Sequence, residues 1–313
     1  MNGYHRRAGT TSSDGYALDV TPADAGWAYC GLRVLELTPG EAAEIDTGEA
    51  EALVLPLSGS ATVGCDGVRI DLAGRTGVFS GVSDVAYLPR DAHAVISSAA
   101  GGRFALPSAV CEQRREVAYV PADRVPVELR GAGRSSRQVH NFGTPGVLDA
   151  ERLICCEVLT PAGNWSSFPP HKHDEDRVGE SVLEEIYYFH VADGPHGPGV
   201  AYQRAYGHDH ADIDVLVEVR DGDVVLIPYG WHGPSMAVPG YDLYYLNVMA
   251  GPGERAWRIC DDPAHAWVRD TWEHEDVDPR LPFPHPPNAE PDVSSAFSGV
   301  SPVERQAQRM GEP

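Results

Sequence analysis

Between Gly163 and Phe189 the chain reads GNWSSFPPHKHDEDRVGESVLEEIYYF. His171 and His173 stand one residue apart, and Glu185 opens the apolar run Ile186-Tyr187-Tyr188-Phe189. In a strand, side chains at i and i+2 share a face, so both imidazoles aim at one point. Glu185, Tyr187 and Phe189 share a face of a second strand by the same rule. Only a sheet that curls brings groups on two such strands together on the inside. Two imidazoles and a carboxylate are a ligand set that suits Zn, Fe or Mn.

A fourth ligand candidate follows in Gly222–His232, GDVVLIPYGWH: a turn, a buried strand, a proline bend and then His232. A lone histidine after a proline bend is a common loop residue, and an HxH pair alone is also common. The combination of HxH, a strand-opening Glu and G-x5-P-x-G-x-H is far more specific.

The rest of the chain fits a β architecture. Tyr29–Leu37, Glu51–Leu57, Ala61–Val63, Val68–Leu72, Val85–Leu88 and Ala94–Ser97 are short β-branched or alternating runs separated by Gly, Asp and Pro. Helical periodicity is nearly absent. The pattern also repeats. Val85–His93 (VAYLPRDAH) lies over Val224–His232 (VVLIPYGWH), and Glu51–Leu55 lies over Glu185–Phe189. The first half lacks the HxH pair. The expected organisation is an arm (1–25), a first barrel without the ligand set (26–120), a connecting segment (121–145), a metal-binding barrel (146–278) and a Pro-rich tail (279–313).

The formal net charge of −22 argues against a nucleic-acid partner. It also means that an anionic substrate would need locally placed Arg or Lys. The segment 130–141, RGAGRSSRQVHN, is conspicuously basic and Gly-rich in so acidic a chain; it is either a solvated linker or a loop that crosses near the site. No apolar run is long enough for a membrane helix and the N-terminus lacks a secretory core, so a cytoplasmic location is expected. The six cysteines form no CxxC pair and are expected as free thiols. The loop 207–212 (GHDHAD) has the composition of a surface turn.

These segments resemble the 5-deoxy-glucuronate isomerase family of inositol catabolism. The resemblance is carried by GNWSSFPPHKHDE (163–175), LEEIYYF (183–189), AYQRAY (201–206), GDVVLIPYGWH (222–232), GYDLYYLNVMAGP (240–252) and DPAHAW (262–267), with RQVHN (137–141) and GWAYCGLRVLEL (26–37). It implies an all-β bicupin, two jelly-roll-like barrels in one chain, and an aldose–ketose isomerisation of 5-deoxy-D-glucuronate to 5-dehydro-2-deoxy-D-gluconate. The implied ligands of one divalent ion (Zn, Mn or Fe) are His171, His173, Glu185 and His232. Glu175 competes with Glu185 by spacing and Glu184 by adjacency. Trp231 stands where the family is expected to carry Tyr.

Such a reaction needs a Lewis acid at the developing oxyanion and a base at the C–H, through an enediolate. Candidates for proton transfer are Glu157, Glu184, His140, Tyr187 and Tyr245. Arg204, then Lys172, are candidates for the substrate carboxylate, with His140 a further pocket candidate. Other classes compatible with the same fold are an Fe(II) dioxygenase and a non-enzymatic sugar-acid-binding protein. A homo-oligomer is the expected assembly.

Overall fold

The computed structural model describes residues 3–13 and 15–283. Strands dominate it, and the only α-helices among the described residues are the single turns Pro22–Ala25 and Val268–Thr271.

The first barrel is built on one long strand, Ala50–Cys65. Its first half pairs with Val85–Leu88 and Gly102–Val110, its second half with Val68–Arg75 and His93–Ser97. The register shifts at Pro56/Ser58 and again at Gly59/Ala61. Proline and glycine break the ladder there and let one strand turn the corner between two sheets.

The second barrel has a seven-stranded sheet, in the order His5–Arg6, Val224–Ile227, Glu184–Val191, Leu243–Ala250, Ile154–Thr160, Arg137–Gly143, Val127–Arg130. A four-stranded sheet (Trp165–Ser166, Ser235–Ala237, Ala201–His208, Ala211–Val219) and the short ladder of His171–Lys172 with Cys260–Asp261 complete it.

Three apolar clusters follow from this arrangement. Val54, Val63, Leu72 and Phe104 fill the first barrel. Cys156, Tyr187, Phe189, Val225 and Tyr245 line the second. Between the barrels, Leu32, Leu53, Leu55 and Tyr87 pack against Cys155, Leu159, Ile186, Tyr188, Tyr244 and Leu246. The strand Glu184–Val191 is therefore buried on both faces, which is why its apolar run does not alternate with polar residues.

Two segments differ from the sequence-based expectation. The arm is paired rather than loose: His5–Arg6 adds an edge strand beside Val224–Ile227, and Tyr16–Val20 pairs with Cys30–Leu37. The segment 121–145 is more than a connector, since Val127–Arg130 and Arg137–Gly143 are strands of the second sheet. Most of the tail falls outside the described residues. All six cysteines are free.

Candidate metal centre

His171 sits on the short ladder and is bridged to His232 by paired backbone hydrogen bonds of 2.9 and 2.8 Å. That pairing brings the histidine after the proline bend to the HxH pair. Gly233 makes the approach feasible. Its φ is +114°, and a Cβ there would lie 2.9 Å from His171 Nδ1. Glu185 enters from the neighbouring strand and pairs with Ile227. His171, His173, Glu185 and His232 are all buried, and each places one ligand atom within 4.8 Å of the others.

The rings are oriented by backbone carbonyls. His173 Nδ1 is 3.0 Å from Leu183 O, and His232 Nδ1 is 2.7 Å from Gly230 O. A carbonyl only accepts, so each Nδ1 donates, and a neutral ring then turns the Nε2 lone pair inward. The inward atoms crowd one another: His173 Nε2 to Glu185 Oε2 is 3.1 Å, His232 Nε2 to the same oxygen 2.9 Å, and Nε2 to Nε2 3.0 Å. Burial disfavours a proton on His173 and Glu185 favours it, with a net rise. One proton would nevertheless satisfy one of these contacts, whereas a cation between the atoms satisfies all three. Atoms bound about 2.1 Å from an ion at right angles lie about 3.0 Å apart, so the spacing fits a six-coordinate site.

The electrostatics favour the ligand forms of Glu185 and His171. Burial opposes the Glu185 charge, but the facing imidazoles outweigh it and hold the carboxyl down to about 2. Burial, then the neighbouring His232 and His173, keep His171 neutral by depressing it far below its usual range.

The other sequence candidates divide by strand face. Tyr187 and Tyr245 line the same interior, with ring centroids 5.1 Å apart and Tyr187 6.3 Å from His232. The Tyr245 hydroxyl is 2.6 Å from Ser166 Oγ. Glu184, Glu157 and His140 do not reach this interior. The Glu184 carboxylate accepts the backbone N–H groups of Ala28, Tyr29 and Cys30 at 2.8 Å each. Glu157 faces the inter-barrel layer, bound by both Arg75 amino groups at 2.8 and 2.7 Å, by His140 at 2.6 Å and by the Tyr244 hydroxyl at 2.9 Å. All three belong to the joint between the barrels, because alternation along their strands turns them away from Glu185.

Arg204 is likewise misplaced for a substrate contact. It points outward on its strand, stacks on Tyr206 and pairs with Asp214. Lys172 is buried but fully used by Asp174 (2.6 Å), Glu180 (2.7 Å) and Glu175 (2.9 Å). Glu175 therefore stands outside the histidine cluster. Asp174 in turn accepts from Gly230 N at 2.8 Å and lies 2.9 Å from His208, so the segment that follows His173 buttresses the turn that carries His232. The Trp231 ring packs on Lys172 and His208.

Sequence reasoning missed three interior residues. Gln203 Nε2 is a buried amide donor without a hydrogen-bond partner, and the buried Asn247 faces the Tyr187 hydroxyl. Gln203 lies on the strand face opposite Arg204, and no sequence motif marks it. The third is Arg137, which lay inside the conspicuous 130–141 segment.

Residues 4–268 match the KduI/IolB family. The chain belongs to this family. It is 39% identical over 263 residues to the 5-deoxy-glucuronate isomerase of Geobacillus kaustophilus (strain HTA426), covering 83% of this chain and 93% of the relative. It is 40% identical, with the same coverage, to the isomerase of that name from Geobacillus thermodenitrificans (strain NG80-2). Among solved structures it resembles an IolB-like protein from Salmonella typhimurium LT2, with TM-score 0.78 and 35% identity, covering 85% of this chain and 98% of that one. An oxalate decarboxylase from Bacillus subtilis shares the fold at TM-score 0.58 and 13% identity, over 83% of this chain and 80% of that one. The KduI/IolB chain described here is an all-β bicupin, and its histidine–glutamate cluster could hold a metal ion.

Proposed function

We propose that this chain is a metal-dependent aldose–ketose isomerase that converts 5-deoxy-D-glucuronate to 5-dehydro-2-deoxy-D-gluconate in inositol catabolism. The observation that carries the proposal is the buried cluster of His171, His173, Glu185 and His232, in a chain whose relatives of 33–40% identity bear the name 5-deoxy-glucuronate isomerase. Three histidines and one carboxylate suit Zn, Mn or Fe.

A divalent ion held there supplies Lewis acidity where the carbonyl oxygen gains charge. The remaining roles fall to the chain. His171, His173, Glu185 and His232 would hold the ion and leave it the substrate's carbonyl end to polarise. Burial and the Glu185 charge push the Tyr187 phenol far above its usual range, and burial raises Tyr245 despite the nearby Arg137. Both stay protonated, so each acts by giving a hydrogen bond or proton to a substrate oxygen rather than by taking a proton from carbon. Ser166 fixes the direction of Tyr245. The free amide donor of Gln203 is available to a sugar hydroxyl.

The test is metal analysis of the purified protein combined with proton NMR of 5-deoxy-D-glucuronate turnover in D₂O. One equivalent of metal and product formation, both lost in His171→Ala, is the expected result. Bound metal without turnover would refute the isomerase assignment. Protein that neither holds nor takes up divalent ions would refute the metal centre.

A further inference from the structure

Arg137 is 3% exposed at the start of the strand Arg137–Gly143, on the same strand face as Val139, which lines the interior of the second barrel. Its surroundings set it apart from the arginines near it. Arg130 is held by both oxygens of Glu128 at 2.8 and 2.7 Å. Arg269 is held by both oxygens of Asp261, the residue paired with His171 across the short ladder. No carboxylate among the described residues is hydrogen-bonded to Arg137; Glu128 acts on it only at a distance while its oxygens are held by Arg130, and the Arg137 guanidinium makes one hydrogen bond, to Ser135 O at 3.0 Å.

The site around it is built to hold a guanidinium in place. The Trp272 ring carries Arg137 and Arg269 together, at 5.6 and 5.0 Å from its centroid. Gly131, at φ +77°, gives the room: a Cβ there would lie 2.8 Å from Arg137 Nη1 and 2.3 Å from Ser135 O. Burial and Arg130 both weigh against the Arg137 charge, pulling its pKa down to about 9, so it is still protonated at neutral pH. A buried cation without a directly bonded counter-ion is costly, and a chain of net charge −22 has abundant carboxylates that could have been placed against it. It is left open beside Tyr245 and His171, both close enough to feel its charge.

We propose that Arg137 is the substrate-carboxylate receptor of this site, its guanidinium fork closing on the C6 carboxylate while the C1–C2 end meets the histidine–glutamate cluster. The assignment rests on the isomerase reading above. It gives the planar, bidentate pairing for which Arg is suited and Lys is not. An extended six-carbon acid spans roughly 6 Å from C1 to C6, so both ends fit within one barrel interior. Trp272 and Arg269 act as positioning residues behind Arg137. The role expected of Arg204 thereby passes to a residue that faces inward.

The experiment compares wild type, Arg137→Met and Arg137→Lys on 5-deoxy-D-glucuronate and on 5-deoxy-D-glucose, which carries a hydroxymethyl group in place of the carboxylate. Metal content and Tm are measured alongside. Arg137→Met is expected to lower kcat/KM for the acid by about 100-fold, chiefly through KM, and to change the neutral sugar by less than about threefold, with metal content unchanged. Arg137→Lys should recover part of the loss. An equal fall on both sugars, or an acid KM that stays at the wild-type value, would overturn the assignment. Should wild type isomerise neither sugar, the isomerase reading fails by itself. Calorimetric titration with the acid then decides the Arg137 assignment: at least 30-fold weaker binding to Arg137→Met supports it, and equal binding overturns it.

Discussion

Glu51 and Glu184 hold corresponding places in opposite barrels, and each binds the backbone of the other barrel. Glu184 accepts the N–H groups of Ala28, Tyr29 and Cys30, where the first barrel's strand Cys30–Leu37 begins. Glu51 accepts those of Glu151, Arg152 and Leu153 at 2.7–2.8 Å, just before the second barrel's strand Ile154–Thr160. The two carboxylates clasp the barrels reciprocally about an internal pseudo-twofold. The repeat read from the sequence is therefore shifted by one residue at its first element: Glu51 corresponds to Glu184, and Ala52 occupies the place of Glu185. The ladders agree, with Ala52 opposite Leu88 and Glu185 opposite Ile227, each just before its proline. The first barrel thus lacks the ligand carboxylate as well as the HxH pair. The repeat's other end also diverges, because His93 is exposed and bonded to Asp46.

This clasp separates the adjacent glutamates by experiment. Glu184→Ala orphans three N–H groups and should destabilise the chain by about 3 kcal/mol or more in urea unfolding, with metal per folded chain unchanged. Glu185→Gln should lose metal with a smaller effect on the metal-free protein. If Glu184→Ala kept full stability but lost turnover per bound metal, Glu184 would return as the proton-transfer group.

Metal should stabilise this fold, because the four ligands come from three separate segments and meet only in the folded barrel. With free ion at 100 times its Kd, the expected gain is about 2.7 kcal/mol, read as a rise in Tm on adding ion to chelator-treated protein. His232→Ala should abolish that rise. Gly233→Ala should weaken it, since the added Cβ would press on the His171 ring from a backbone that disfavours side chains. A Tm that ignores divalent ions would contradict the centre.

The clustering of the four candidate ligands was legible because strand alternation acts over two residues and the motif supplies its own spacing. The inter-barrel joint was not. Glu157 and Glu184 look like catalytic acids in a sequence, and only the pairing of two sheets face to face gives them Arg75 and a row of amides as partners. Arg137 was half legible. Its basic segment stood out, but its lack of a directly bonded carboxylate is a three-dimensional fact, set by Glu128 and Asp261 bonding to other arginines. Arg204 misled because its strand has two faces, and the tyrosine-flanked one looked like a pocket.

Acid should loosen the inter-barrel joint before the metal ligands are considered. Burial opposes the Glu157 charge, but Arg75 and His140 outweigh it and hold the carboxyl down to about 2, against 4.5 for an ordinary glutamate. A depressed folded-state pKa contributes stability that is complete above the unfolded value and lost as pH falls through the folded one. The stabilisation, on the order of 3 kcal/mol, should fade between about pH 4.5 and 2. Glu157→Gln should flatten the pH dependence of unfolding free energy across that window while leaving metal binding intact at neutral pH. An unchanged slope would mean that the joint titrates elsewhere.

Lys172 and Arg204 were both candidates for the substrate carboxylate, and their surroundings predict opposite outcomes. Arg204→Ala removes an outward pair with Asp214 that is largely open to solvent, so stability and kcat/KM should stay within about twofold of wild type. Lys172→Met removes a cation from the half-buried Asp174 and the buried Glu180, leaving them His208 and Arg177, at a cost of about 1–3 kcal/mol. Asp174 also holds Gly230 N–H, two residues before His232, so metal affinity should fall about 10–100-fold. At saturating metal the KM for the acid should nevertheless stay near wild type, because Lys172 acts on the loop and not on the substrate. A large KM increase in Lys172→Met that metal does not repair would place the carboxylate at Lys172 instead of Arg137.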